Sequence, residues 1–132
     1  MSQENVEVVR KALAAFNRRD FEAMRALNHP GVELDWSASR GLLAGVYRGV
    51  EEVFGFYRDY FETFAEVVIE PERFIESDDL VIVPNTAQVR GRDGVETVAR
   101  SALVFEVRGA RLARICLYQE TREALEAARL KE

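Results

Sequence analysis

Apolar and polar positions alternate on both sides of Arg108-Gly109-Ala110 in the stretch from Arg100 to Glu120, and the runs are rich in Val, Ile, Leu, Phe and Tyr. A period of two predicts a long antiparallel hairpin with one buried face. Ser101, Leu103, Phe105 and Val107 share a face in the first arm, as do Ile115, Leu117 and Gln119 in the second. That face is apolar except for one polar group near each far end, which suits a sheet surface lining a pocket. The opposite set, Ala102, Val104, Cys116 and Tyr118, is too apolar for a wetted face. A covering partner is expected there.

Upstream the period changes. Val6, Val9, Leu13 and Phe16 recur at spacings of three and four, predicting an amphipathic helix that Ser2 can cap. Asp20 then caps a shorter helix packed through Phe21, Met24 and Leu27, which stops at Asn28-His29-Pro30-Gly31 because proline disfavours helical geometry at the residue before it. Val32, Leu34 and Trp36 alternate with Glu33, Asp35 and Ser37 as a short strand, followed by a loop with Gly41, Gly45 and Gly49. From about Val50 to Phe64 runs the most aromatic helix, with Val53, Tyr57, Tyr60 and Phe64 in one stripe that Phe54 and Phe61 widen. Glu66 to Glu76 alternates around Pro71, which predicts an edge position or a bulge. Leu80 to Arg90 reads as a long strand with Val81, Val83, Asn85, Ala87 and Val89 on one face, followed by a turn at Asp93-Gly94. Thr121 can cap a closing helix with Ala124, Leu125 and Ala128 inward. Helices segregated from a mostly antiparallel sheet make an α+β fold, and a curved sheet wrapped on the aromatic helix leaves a conical internal pocket.

The 132 residues are expected to form a single domain, 1–132, long enough for a core and a cavity. The net charge of -5, without a basic stripe, argues against nucleic acid and anionic membranes as partners. No apolar run approaches the roughly 20 residues of a membrane span and the N-terminus lacks signal organisation, so the expected location is cytoplasmic. Cys116, the one cysteine, reads as a packing residue. The glycine loop lacks the strand and helix context of a phosphate cradle, and no metal-ligand cluster or dinucleotide fingerprint is present, so no cofactor is implied. His29, the one histidine, sits before Pro30 at a helix end, where capping or a surface position is expected.

The segments NVEVVRKALAAFNRRDFEAMRAL, HPGVEL, YRGVEEVFGFYRDYFE, VVIEPERFIESDDLVIV and FEVRGARLARICLYQETREALEAA together resemble the SnoaL-like polyketide cyclase family of the nuclear transport factor 2-like superfamily, which includes ketosteroid isomerase and limonene epoxide hydrolase. The resemblance implies a cone-shaped fold that hosts isomerases, hydrolases, cyclases and non-catalytic binding modules, and a homodimer in which a second copy of the chain covers the outer sheet face. Ketosteroid isomerases use a carboxylate after the first strand, a tyrosine of the first helix and an acid on a late strand. Here motif spacing puts Asp35 at the base, whereas the strand alternation puts Trp36 in the cavity and Asp35 outside. The first-helix tyrosine is missing across Ala12 to Phe16, and the late-strand acid falls at about Leu103. The acid-rich cluster of the epoxide hydrolases corresponds to Val83, Asn85 and Leu117, so water activation by paired carboxylates is not expected.

Candidate catalytic residues are therefore Asp35, Tyr57 and Asn85, the last a carboxamide on an otherwise apolar face that must find a partner. Candidate ligand-lining residues are Trp36, Phe61, Val83, Ser101, Leu103, Leu117 and Gln119. Arg100 is expected to pair with Glu106 or Glu120. Two functions follow: binding of a small apolar, cyclic molecule, with isomerase or cyclase proton transfer if there is catalysis, or a non-catalytic module whose cavity its own side chains fill.

Overall fold

The computed structural model describes residues 2–41 and 43–131. Among them are the helices α1 (Ser2–Arg18), α2 (Phe21–Leu27), α3 (Gly49–Thr63) and α4 (Thr121–Lys131). The strands are β1 (Asn28–Asp35), β2 (Val46–Arg48), β3 (Phe64–Pro71), β4 (Ile75–Ser77), β5 (Leu80–Gly91), β6 (Glu96–Arg108) and β7 (Arg111–Tyr118). They form one open, curved sheet in the order β2-β1-β7-β6-β5-β3, with β4 paired to the start of β5. Only β1 and β7 run parallel. This is an α+β cone.

The hairpin pairs as its alternation requires. Leu103 lies opposite Leu117 and Phe105 opposite Ile115, while Asn85 faces Ser101 across the preceding pair. Gly109 and Ala110 take φ of 56° and 64°, the left-handed pair of a two-residue turn whose twist matches its strands. Pro71 closes β3, an edge strand, where its missing N–H breaks no ladder.

Helices α1, α2 and α3 fill the concave side. Val9, Leu13 and Phe16 of α1, Met24 of α2 and Val53, Phe54, Phe56, Tyr57 and Phe61 of α3 are buried against Val81, Val83, Leu103, Phe105 and Ile115. Side chains pin this layer at two points. The Asn17 carboxamide donates to the Ile69 carbonyl and accepts from its N–H, both at 2.9 Å, fastening α1 to β3. The Arg19 guanidinium donates to the carbonyls of Phe61, Phe64 and Ala65, and Arg92 donates to those of Phe61 and Glu62, so two of the open carbonyls at the end of α3 are satisfied.

Several expectations change. The Ser2 cap lies outside the described side chains. Asn28 to Gly31 does not stop as a turn but opens β1, with a register shift before Glu33. The glycine loop contains β2. Helix α4 begins at Thr121, and the Glu120 N–H donates to the Glu123 carboxylate, so Glu120 occupies the capping position. The outer apolar face is also corrected: α4 itself covers it, packing Ala124 and Ala128 on Leu80, Ile82, Ala102 and Val104.

Candidate functional site

The aromatic helix holds the sheet away from itself. Phe56 and Tyr60 stack with ring centroids 5.4 Å apart, Trp36 meets Phe56 at 5.4 Å, and Phe16 meets Tyr57 edge-on at 5.9 Å. Strands β5 and β6 continue past the end of this aromatic arch. The space that remains divides into two adjoining chambers. The inner one, about 50 Å³, is lined by Phe16, Met24, Asn28, Leu34, Phe56 and Tyr57 together with the inner face of β6 and β7. The outer one, about 550 Å³, opens between the far ends of β5, β6 and β7 and the loop after β1, and includes Asn85, Ala87, Val89, Ser101, Leu117 and Gln119. Trp36, Tyr60, Ile69 and Leu103 border both.

Polar groups are few and mostly engaged. Asn85, 2% exposed, donates from Nδ2 to the Val83 carbonyl at 3.0 Å and accepts from the Ser101 hydroxyl at 3.3 Å. The second Nδ2 N–H of Asn85 has no acceptor among the described residues. Gln119 donates to the Ala38 carbonyl at 2.8 Å, tying β7 to the rim loop, while the backbone N–H of Trp36 donates to the Gly45 carbonyl and the Tyr47 hydroxyl to the Leu43 carbonyl. At the mouth Arg100 is paired with Glu72 at 2.9 Å rather than with Glu106 or Glu120. Glu106 binds Arg108 instead, and Glu120 binds Arg122. Burial pushes the Tyr57 and Tyr60 hydroxyls above the ordinary tyrosine pKa, so both stay protonated and act as donors. Among the described residues neither chamber is lined by a carboxylate or a histidine.

Asp35 lines neither chamber, which corrects its candidacy as the base. Its carboxylate accepts from the Ser37 hydroxyl and N–H and from Arg114 at 3.1 Å, while Arg114 also binds Glu33. Burial alone would push this carboxyl up, but the Ser37 hydrogen bonds and the Arg114 charge outweigh it and hold the pKa below the carboxylate range. Phe61 and Val83 are likewise corrected. Phe61 turns toward α1 and α2, with the Arg19 guanidinium 4.6 Å from its ring centroid, and Val83 is wholly enclosed in the core. Trp36, Leu103, Ser101, Leu117, Gln119, Asn85 and Tyr57 do border the chambers. His29 is exposed and accepts from the Gly31 N–H at 3.0 Å, a local turn contact.

One residue escaped the sequence reading. Asn28 is 6% exposed and borders the inner chamber. Its Nδ2 donates to the Met24 carbonyl at 2.7 Å, but its Oδ1 accepts no hydrogen bond. A polar residue standing just before an apolar alternation was the available signal.

Among the described residues no helix is long and apolar enough to cross a membrane, and no three His, Cys, Asp or Glu side chains converge as a metal cluster. No curated protein matches the chain. An NTF2-like protein of unknown function from Burkholderia pseudomallei is similar over 96% of this chain and 97% of its own, at 28% identity and a TM-score of 0.80. The structure of TerC, co-crystallised with polyporic acid, is similar over 96% of this chain and 98% of its own, at 23% identity and a TM-score of 0.79. A Mycobacterium tuberculosis protein in complex with estradiol-17β-hemisuccinate aligns over 91% of this chain and 95% of its own, at 13% identity and a TM-score of 0.79. The SnoaL-like domain model matches residues 9–115, most of the chain. The chain therefore belongs to the SnoaL-like family, on an NTF2-like fold.

Proposed function

We propose that this protein binds a small, apolar, ring-bearing molecule in its cone. The observation that carries the reading is the outer chamber of about 550 Å³, within the range of small-molecule sites and walled by apolar side chains with a few convergent polar groups. A module filled by its own side chains would leave no such space. The small molecules in the TerC and Mycobacterium structures are those proteins' own ligands, and they support the reading only through the shared fold.

Binding is favoured over proton-transfer catalysis. Abstracting a proton from carbon needs a base held near the reacting atom with a pKa matched to the task. The titratable groups of the two chambers are neutral tyrosines and an Arg100 already paired with Glu72. In an isomerase or cyclase reading, either Tyr57 in the inner chamber or Asn85 in the outer one serves as hydrogen-bond donor to a developing oxyanion, and the base comes from the substrate or solvent.

A thermal-shift screen against steroids, polyketide-like aromatics, terpenes and fatty acids tests the reading, with Asn85→Leu alongside. Ligand at 100 times its dissociation constant adds about 2.7 kcal/mol, a shift of several degrees at this size. A hit lost in the variant supports the pocket, and silence across every class contradicts it. The expected homodimer belongs on the part of the outer face that α4 leaves open, around Val98, 67% exposed, and Gln88 opposite it. Sedimentation that shows a monomer at high concentration would remove it.

A further inference from the structure

Resting on this binding reading, we infer that the inner chamber receives a neutral hydroxyl at the leading end of the ligand, with Asn28 Oδ1 accepting its proton and the Tyr57 hydroxyl donating to its oxygen. The first observation is the unmatched acceptor. Asn28 is more than nine-tenths buried, and an amide oxygen without a partner in such a place carries the full cost of its lost hydration. Its orientation is set, because exchanging oxygen and nitrogen would turn Oδ1 toward the Met24 carbonyl, which now accepts from Nδ2 at 2.7 Å. The free end of the carboxamide is thus an acceptor and requires a donor.

The second observation is the pairing of groups. Tyr57 borders the same chamber and has no hydrogen bond within the protein among the described residues. Burial keeps its hydroxyl protonated, so it offers a proton. A ligand hydroxyl has the chemistry that both groups require, since it donates once and accepts as well. A carbonyl would satisfy Tyr57 and leave Asn28 facing a second acceptor. A carboxylate or ammonium head would enter without an opposite charge, since no ionised side chain borders the inner chamber among the described residues.

The third observation is size. An apolar cavity of about 150 Å³ holds a benzene ring, so about 50 Å³ admits a ring substituent and not the ring. The four residues common to both chambers, Trp36, Tyr60, Ile69 and Leu103, mark the boundary that a ligand group must cross to reach the inner one from the outer. The ligand is then stepped: a hydroxyl passes this boundary while its apolar body stays in the outer chamber.

The test measures dissociation constants of 4-phenylphenol, 4-methoxybiphenyl and biphenyl for the wild type, Asn28→Leu and Tyr57→Phe. The wild type is expected to favour the phenol over both analogues by about tenfold, the worth of one well-placed hydrogen bond. Asn28→Leu should erase that preference while retaining biphenyl, and Tyr57→Phe should reduce it. Should Asn28→Leu fail to fold, the wild-type ranking and its reduction in Tyr57→Phe decide the matter. Equal affinity for all three compounds overturns the hydroxyl assignment and leaves the pocket reading standing. A phenol preference unchanged in the variants also overturns it, leaving Asn28 with a structural role or a buried water. Failure of all three compounds to bind overturns the binding reading and the assignment with it.

Discussion

Both faces of β6 carry apolar side chains at their centre, and these have opposite fates. On one, Ala102 and Val104 meet Ala124 and Ala128 of α4, and the small side chains let helix and sheet approach closely. On the other, Leu103 faces a void, because the aromatic rings of α3 prop the helical layer away from the sheet. An apolar strand face therefore specifies burial without specifying what does the burying. A helix, a ligand and a second copy of the chain satisfy the same pattern.

Large-to-small substitutions should separate the faces most strongly. Ile82→Ala removes a fully enclosed side chain beneath α4 and should cost about 2–5 kcal/mol in urea unfolding. Leu103→Ala already borders open space, so its cost should fall at the bottom of that range. Similar losses at both sites would remove the contrast. Filling the void makes the reverse test. Ala87→Trp should change stability by less than about 1 kcal/mol, below the usual cost of overpacking, while abolishing every thermal-shift hit.

A pH titration gives a smaller effect. Burial raises the folded pKa of Tyr57 above the ordinary 10.0, so its proton is lost from the unfolded chain first. Its contribution is intact below pH 10 and declines as pH rises through the interval between the unfolded and folded values. Tyr118 adds to the decline over the same region, since burial pushes it up to about 12. Alkaline unfolding of Tyr57→Phe should fall less steeply than that of the wild type, and identical slopes would place the Tyr57 hydroxyl in water. The smallest change is expected at the rim. Arg100→Ala breaks an exposed pair with Glu72 and should shift stability by less than about 0.5 kcal/mol.

The sheet and its inner face were legible in the sequence because period-two alternation leaves few choices, as Leu103 opposite Leu117 illustrates. Asn85, Ser101 and Gln119 stood out as polar residues interrupting apolar sets, and all three border the outer chamber. The inner chamber was harder to read. Asn28 precedes His-Pro-Gly, a local stop signal, yet tertiary pairing with β7 draws it into a strand. On α3 nearly every inward position is aromatic, so composition could not distinguish Tyr60, which borders the chambers, from Phe61, which packs on Phe16 and Phe21. That distinction depends on helix rotation, which the Arg19 and Arg92 contacts at the end of α3 help to hold. The outer face misled for a related reason: the pattern turns Ala124 and Ala128 inward on a closing helix without saying which sheet face that helix covers.

The most direct test is a methyl NMR titration of the protein with 4-phenylphenol. Shifts concentrated on Leu103, Leu117, Ile69 and Val89, with Leu80, Ile82 and Val104 unmoved, would place the ligand in the cone and leave the α4 interface undisturbed. Shifts confined to the residues under α4, or no shifts at saturating ligand, would contradict the account.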